Sequence, residues 1–267
     1  MPKILSVYNN KGGVGKTHLC VNLAAIYSKV YGMKTLLIDL DPQSNATHFL
    51  IKDKDSYFDT ISELLNPNNP LSDINRVTYQ SDDISNLFIV PASPDLDDAE
   101  TEMLLRQINE NDDSQQLVLS KYLEPVKDNY DIIIIDLHPS KKRLLNINAL
   151  CASTHFACPV DSDPESFEGL NGLMETYKTV LPYNEALKFI GVIYMKFRNT
   201  NADFKALTVL SDTLNDDDLL FETFIPLRAK AVDVRWLKKP LILYAPSDDC
   251  TKSYVTLADE IKGKMEM

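Results

Sequence analysis

The chain has 267 residues, and its 39 Asp and Glu against 27 Lys and Arg leave a formal net charge of -12. That balance excludes a generally basic protein that coats nucleic acid, and 44% hydrophobic with 25% charged residues excludes a disordered chain. No apolar run approaches the roughly 18 residues needed to cross a bilayer, and the first residues lack the apolar stretch and cleavage site of a secretory leader, so a cytoplasmic protein is expected. The four cysteines, Cys20, Cys151, Cys158 and Cys250, are scattered with no C-x-x-C pair, which argues for buried free thiols rather than disulfides or a zinc site.

Taken in chain order, Ile4 to Tyr8 reads as a buried strand and the apolar face from Leu19 to Tyr27 as a helix, with Gly12, Gly13 and Gly15 clustered in the loop between them. Glycine is otherwise scarce, with eight in the chain. Strands follow at Thr35 to Asp39 and Asp131 to Asp136, both ending in a carboxylate. Their unbroken apolar runs predict strands covered on both faces. Further strands are expected at Leu87 to Val90, His155 to Pro159, Phe189 to Tyr194 and Glu222 to Ile225, with helices at Phe167 to Tyr177 and Lys205 to Leu214 between them. This rhythm predicts an α/β fold, a doubly wound, mostly parallel sheet flanked by helices. Residues 51–125 hold 16 acidic and 5 basic residues and read as a solvated, mainly helical stretch. With no repeat or low-complexity linker, one domain over residues 1–267 is expected.

Asn10-Lys11-Gly12-Gly13-Val14-Gly15-Lys16-Thr17 departs from the usual G-x-x-x-x-G-K-[ST] loop by placing Asn10 at its first glycine. The physics survives, because small residues let successive N–H groups converge on phosphate oxygens at a helix N-terminus. Lys16 then belongs on the β- and γ-phosphates of ATP, and the Thr17 hydroxyl on Mg²⁺. A second lysine at Lys11 is foreign to ordinary phosphate loops. Lys-Gly-Gly-Val-Gly-Lys-Thr resembles the deviant Walker A motif of the ParA/MinD ATPases. The resemblance runs on through Asp39-Leu40-Asp41-Pro42-Gln43-Ser44-Asn45-Ala46-Thr47, where Ser44 replaces a glycine. It continues through the Walker B-like segment ending at Asp136, and more loosely through Glu165 to Leu170 and Phe224-Ile225-Pro226.

The resemblance implies that Lys11 reaches across an ATP-dependent homodimer to the partner's nucleotide. It implies that Asp41 orients the attacking water, that Asp136 holds Mg²⁺ through water, and that Asp39 serves the metal shell. The loop from Lys11 through Gly12, Gly13, Val14, Gly15, Lys16, Thr17 and His18 would cradle the nucleotide, and Pro226 and Arg228 would meet adenine. His18 stands where relatives have threonine, and Leu137-His138 where many have Cys-Pro. An iron-protein-type reductase shares the loop but needs two cysteine thiolates per protomer, and no cysteine follows closely after Asp136.

Among the remaining members of the class, a membrane-targeted MinD-like ATPase would end in a basic amphipathic helix. The end of this chain mixes both charges. A ParA-type partition ATPase is therefore the first expectation: an ATP dimer that binds DNA non-specifically, associates with the nucleoid, and is released when a ParB-like or other small partner stimulates hydrolysis. No helix-turn-helix segment precedes the loop, so operator-specific repression is not expected. From Pro226 to Tyr244 the basic residues Arg228, Lys230, Arg235, Lys238 and Lys239 face one acid, Asp233. Of these, Lys230, Arg235, Lys238 and Lys239, together with Arg198, are the expected DNA contacts, since non-specific affinity depends on the local count of cations facing phosphates.

Overall fold

The computed structural model describes residues 2–267 apart from 54–55, 69–70, 72, 111–112, 141–142 and 215–216, and leaves the side chains of residues 113, 171, 217 and 235 undescribed. Among the described residues the strands form one seven-stranded sheet in the order β3-β4-β2-β5-β1-β6-β7. The strands are β1 (Lys3–Val7), β2 (Thr35–Leu40), β3 (Tyr79–Gln80), β4 (Leu87–Val90), β5 (Ile132–Leu137), β6 (His155–Val160) and β7 (Lys188–Tyr194). Every pairing is parallel except that of β3 with β4.

The apolar runs explain this burial. In β5, Ile133 and Ile135 join the core on one face, while Ile132 and Ile134 join the core on the other. Side chains alternate between faces with period two, so a strand covered on both sides needs apolar residues at every position. Helix α1 (Lys16–Lys29) and the helix α11 (Asp249–Lys264) cover one face, with Tyr27 donating its hydroxyl to the Ala258 carbonyl at 3.1 Å. The apolar side of α11, including Leu257, Ala258 and Ile261, is consumed by this packing. The opposite face is covered in part by α4 (Leu96–Glu110), α5 (Val118–Leu123), α6 (Leu144–Ala152), α7 (Pro164–Val180) and α8 (Asn201–Leu214).

Two expectations need correction. Glu222 to Ile225 is not a strand. Leu220 and Pro226 form isolated bridges to Val192 and Phe197, but between them the Glu260 carboxylate captures the N–H groups of Glu222 and Thr223 at 2.8 and 3.1 Å. A side-chain acceptor thus takes donors that a strand would use for its ladder. The acidic 51–125 stretch is also less helical than expected: besides β4, the strand expected at Leu87 to Val90, it holds the short β3, paired antiparallel to β4 at the edge of the sheet. All four cysteines are free and buried, as expected.

Candidate active site

The loops leaving the C-terminal ends of β1, β2 and β5 gather at one edge, where open α/β sheets bind their ligands. Register decides which side chains meet there. Asp136 is paired with Val7 on one side and with Asp39 on the other, so the last carboxylates of β5 and β2 stand side by side.

The glycine loop follows β1. Gly13 (φ 79°) and Gly15 (φ 102°) lie in the left-handed region that a Cβ disfavours, which is why glycine is needed at these two positions. Asn9 anchors the loop from below: its amide donates to the carbonyls of Pro159 (2.8 Å) and Ser166 (3.3 Å), and its oxygen accepts the Lys11 N–H at 2.8 Å. Gly169 of α7 lies so close that a Cβ there would collide with Asn9 Oδ1.

Lys16 opens α1 and lies back over the loop, donating to the carbonyls of Asn9 (2.9 Å) and Lys11 (2.7 Å). Burial pulls its ammonium down to about 8, against the opposing pull of Asp136 and Asp41. Asp136 is fully buried and pushed up to about 8, first by desolvation and then by its neighbour Asp39, while the Thr17 side chain favours the charged form. Its Oδ2 has no hydrogen-bond partner. An orphaned carboxylate oxygen beside a hydroxyl suits a hard cation such as Mg²⁺, which is commonly held by one or two protein oxygens with phosphates and water. Among the described residues no group of three or more His, Cys, Asp or Glu could hold a metal.

Asp39, expected in the metal shell, has both oxygens occupied by protein donors. Oδ1 accepts the Asp41 N–H (3.1 Å), and Oδ2 accepts both the N–H and the hydroxyl of Thr47 (2.8 Å each). Burial pushes it up to about 6. It acts as a clasp that shapes the loop between β2 and α2 (Asn45–Leu50). That loop presents Asp41, 7% exposed, whose Oδ1 accepts the Gln43 N–H at 2.9 Å and lies 4.0 Å from His138 Nε2.

A cavity of about 290 Å³ joins these parts, lined by Gly13, Gly15, Lys16, Thr17, His18, Asp41, His138 and Lys238 among others. A smaller one of about 80 Å³, largely apolar, lies beside it between Gly13, Gly15, Met195, Pro226, Leu227 and Tyr254. Pro226, expected to meet adenine, lines this smaller cavity. Arg228 does not line this cavity; it is exposed and precedes α9 (Ala229–Leu237). Lys11 turns away from the larger cavity to ion-pair with Asp163 and Glu165 at the start of α7. Of the expected DNA contacts, Arg198, Lys230 and Lys239 are exposed. Lys238 faces inward instead, its ammonium 5.4 Å from the centre of the Phe49 ring. The Arg235 side chain lies outside the described residues.

The sequence reading missed His138 as the neighbour of Asp41 and Asp163 as the partner of Lys11. Asp163-Pro164 carried a signal for an N-cap followed by the first helical residue, and Asp163 does accept the Glu165 N–H at 3.1 Å. Nothing local foretold its ion pair.

The AAA domain family matches residues 2–189. The sporulation initiation inhibitor protein Soj of Bacillus subtilis is 35% identical over 98% of this chain and 98% of its own length. The chromosome-partitioning ATPase Soj of Treponema pallidum is 34% identical over 99% and 98%. In fold, the chain resembles a Mycobacterium smegmatis structure described as cobyrinic acid a,c-diamide synthase with bound ADP and magnesium, at a TM-score of 0.81 and 24% identity over 100% of this chain and 96% of that one. From the glycine loop with its two lysines, the carboxylate-ending strands and the near full-length match to the Soj proteins, the chain belongs to the ParA/MinD family of deviant Walker A ATPases.

Proposed function

We propose that this chain is a partition ATPase, built as one domain, whose ATP-bound homodimer binds DNA non-specifically and is released when a partner protein stimulates hydrolysis. The observation that carries the reading is one cavity in which the buried Lys16 ammonium, the Thr17 hydroxyl and the Asp41 carboxylate converge, with Asp136 buried beside Thr17. Lys16 exchanges its two backbone carbonyl partners for phosphate oxygens, and the N-terminus of α1 adds its N–H groups and dipole. Thr17 and Asp136 would hold Mg²⁺, which when bound would neutralise charge on the phosphates. Asp41, fixed by the Gln43 N–H and by the Asp39 clasp, holds the attacking water in line. Lys11 supplies the cation in trans.

The kinship with Soj proteins supports chromosome or plasmid partition over other duties of the fold. The packing of the apolar side of α11 into the core disfavours that helix as a membrane anchor. The test combines phosphate release with gel retardation of random-sequence duplex DNA. ATP and Mg²⁺ together should produce both a dimer by light scattering and DNA binding that weakens steeply with salt. A protein that hydrolyses ATP but never retards DNA at low salt would overturn the DNA scaffold.

A further inference from the structure

Trp236 is the one tryptophan of the chain, and it is 86% exposed. It lies in α9, whose inward side is marked by the fully buried Val234. Two residues along a helix correspond to about 200° of rotation, so the indole points away from the core. Leu237, next to it at the end of the helix, is about half exposed at 48%, as is Val232 one turn earlier at 46%, which also borders the small apolar cavity. A large aromatic held in water by a well-formed helix contributes little to this fold, and such apolar surface marks contact sites.

The charge around it has one dominant sign. Arg228 and Lys230 flank the start of α9, and Lys238 and Lys239 follow its end. Asp233 is the single acid from Pro226 to Tyr244, and its carboxylate faces the Tyr244 hydroxyl at 3.4 Å. Lys230 makes one long approach to Asp248, at 3.8 Å, and remains half exposed. The inner side of the same segment looks into the site: Ala231 lines the small apolar cavity and Lys238 the larger one. One short helix thus carries residues that border the nucleotide cavities and an indole that faces solvent.

We infer that Trp236 is an aromatic contact for duplex DNA, its indole lodging against bases at the groove while Lys230 and Lys239 meet the flanking phosphates. The inference rests on the DNA-binding reading above and adds an uncharged contact to it. Duplex DNA fits both halves of the patch, offering phosphates to the cations and, at a base step opened at the groove, the planar apolar face of a base to the indole. With a net charge of -12 on the whole chain, this local cationic surface is where a polyanion can approach. Its tie to the cavities through Ala231 and Lys238 makes the contact sensitive to bound nucleotide.

A lone tryptophan makes the test direct. Its emission is titrated with a random-sequence duplex, with ATP and Mg²⁺ and without nucleotide, alongside gel retardation by wild type, Trp236→Ala, Trp236→Phe and Lys230→Ala, each first checked for folding by circular dichroism. The expected result is a saturable emission change with duplex that requires ATP. Trp236→Ala should bind roughly tenfold more weakly with an unaltered salt slope, and Trp236→Phe should fall between it and wild type. Lys230→Ala should instead reduce the salt slope by about 1. DNA retarded normally by Trp236→Ala, with no emission change in wild type, overturns this contact and leaves the DNA-binding reading standing. No retardation by ATP-loaded wild type overturns both. An emission change on adding ATP alone, dependent on protein concentration and unaffected by DNA, assigns the indole to a second copy of the chain. A change on adding phosphatidylglycerol vesicles, but not duplex, assigns it to a membrane. Either result sinks the inference.

Discussion

Lys11 is ion-paired with Asp163, the N-cap of α7 in its own subunit, with Glu165 a second anion at 3.7 Å. Only 16% of the Lys11 side chain is exposed. The lysine proposed to act across a dimer is therefore held at home, and dimerisation on ATP has to exchange this pair for a phosphate of the partner. Asp163→Asn keeps the helix cap, since asparagine caps as well as aspartate, but removes the charge that retains Lys11. It should form the ATP dimer a few-fold more readily by light scattering, whereas Lys11→Ala should bind nucleotide and stay monomeric. A normal ATP dimer in Lys11→Ala would refute the trans role.

Lys16→Ala should lose binding of a fluorescent ATP analogue by about a hundredfold or more, as it removes the cation that lies over the loop, and a charge-assisted contact to phosphate is among the strongest in such sites. Its fold should survive, because the two carbonyls released, of Asn9 and Lys11, can be met by water entering the cavity. Retained affinity would move the phosphate site elsewhere.

Asp41→Ala should bind ATP with near-normal affinity yet hydrolyse it roughly a hundredfold more slowly, the usual scale for loss of a positioned catalytic group. Single-turnover phosphate release separates the two quantities. Unaltered turnover would transfer the role to another group, with His138, 4.0 Å away, the first to examine.

Ser44 adopts φ 54°, ψ 33°, a left-handed conformation that costs an L-residue about 1 kcal/mol. Its hydroxyl recovers part of that cost by donating to the Ala92 carbonyl at 2.9 Å. Ser44→Gly should relieve the strain, lose this bond, and shift the thermal midpoint by no more than a few degrees. Ser44→Val, which keeps the strain without the bond, should lower it clearly. A Ser44→Val protein as stable as wild type would show that the loop relaxes.

His155 at the start of β6 is pulled down to about 4, first by burial and then by Lys3 and Lys188. The unfolded chain takes up this proton near its ordinary value of 6.5, so between pH 6.5 and about 4 the unfolded state binds more protons than the folded one. The contribution of His155 to stability is thus complete above pH 6.5 and is lost as the pH falls through that window. Thermal melts at pH 7.5, 6 and 5 should show wild type declining more steeply than His155→Gln. Parallel declines would remove His155 as a cause.

The strands with unbroken apolar runs, the glycine loop and the helix after it were legible along the chain, because each is a local pattern: period, sterics and a chain reversal within a few residues. Gly13 and Gly15 are needed for their own backbone angles, and Asp39 and Asp136 end strands wherever those strands go. Tertiary structure alone decided what these groups meet. Register between β2 and β5 set Asp39 beside Asp136, and the Asp41 and Thr47 donors made Asp39 a clasp for the loop that follows β2. Glu260, far along the chain, took the donors that would have made Glu222 to Ile225 a strand. The turn at Lys238, in a left-handed conformation, sent one of two adjacent lysines inward to Phe49 while the other stayed in water. Pairing, burial and charge neutralisation are properties of groups brought together across long chain separations, and no local pattern records them.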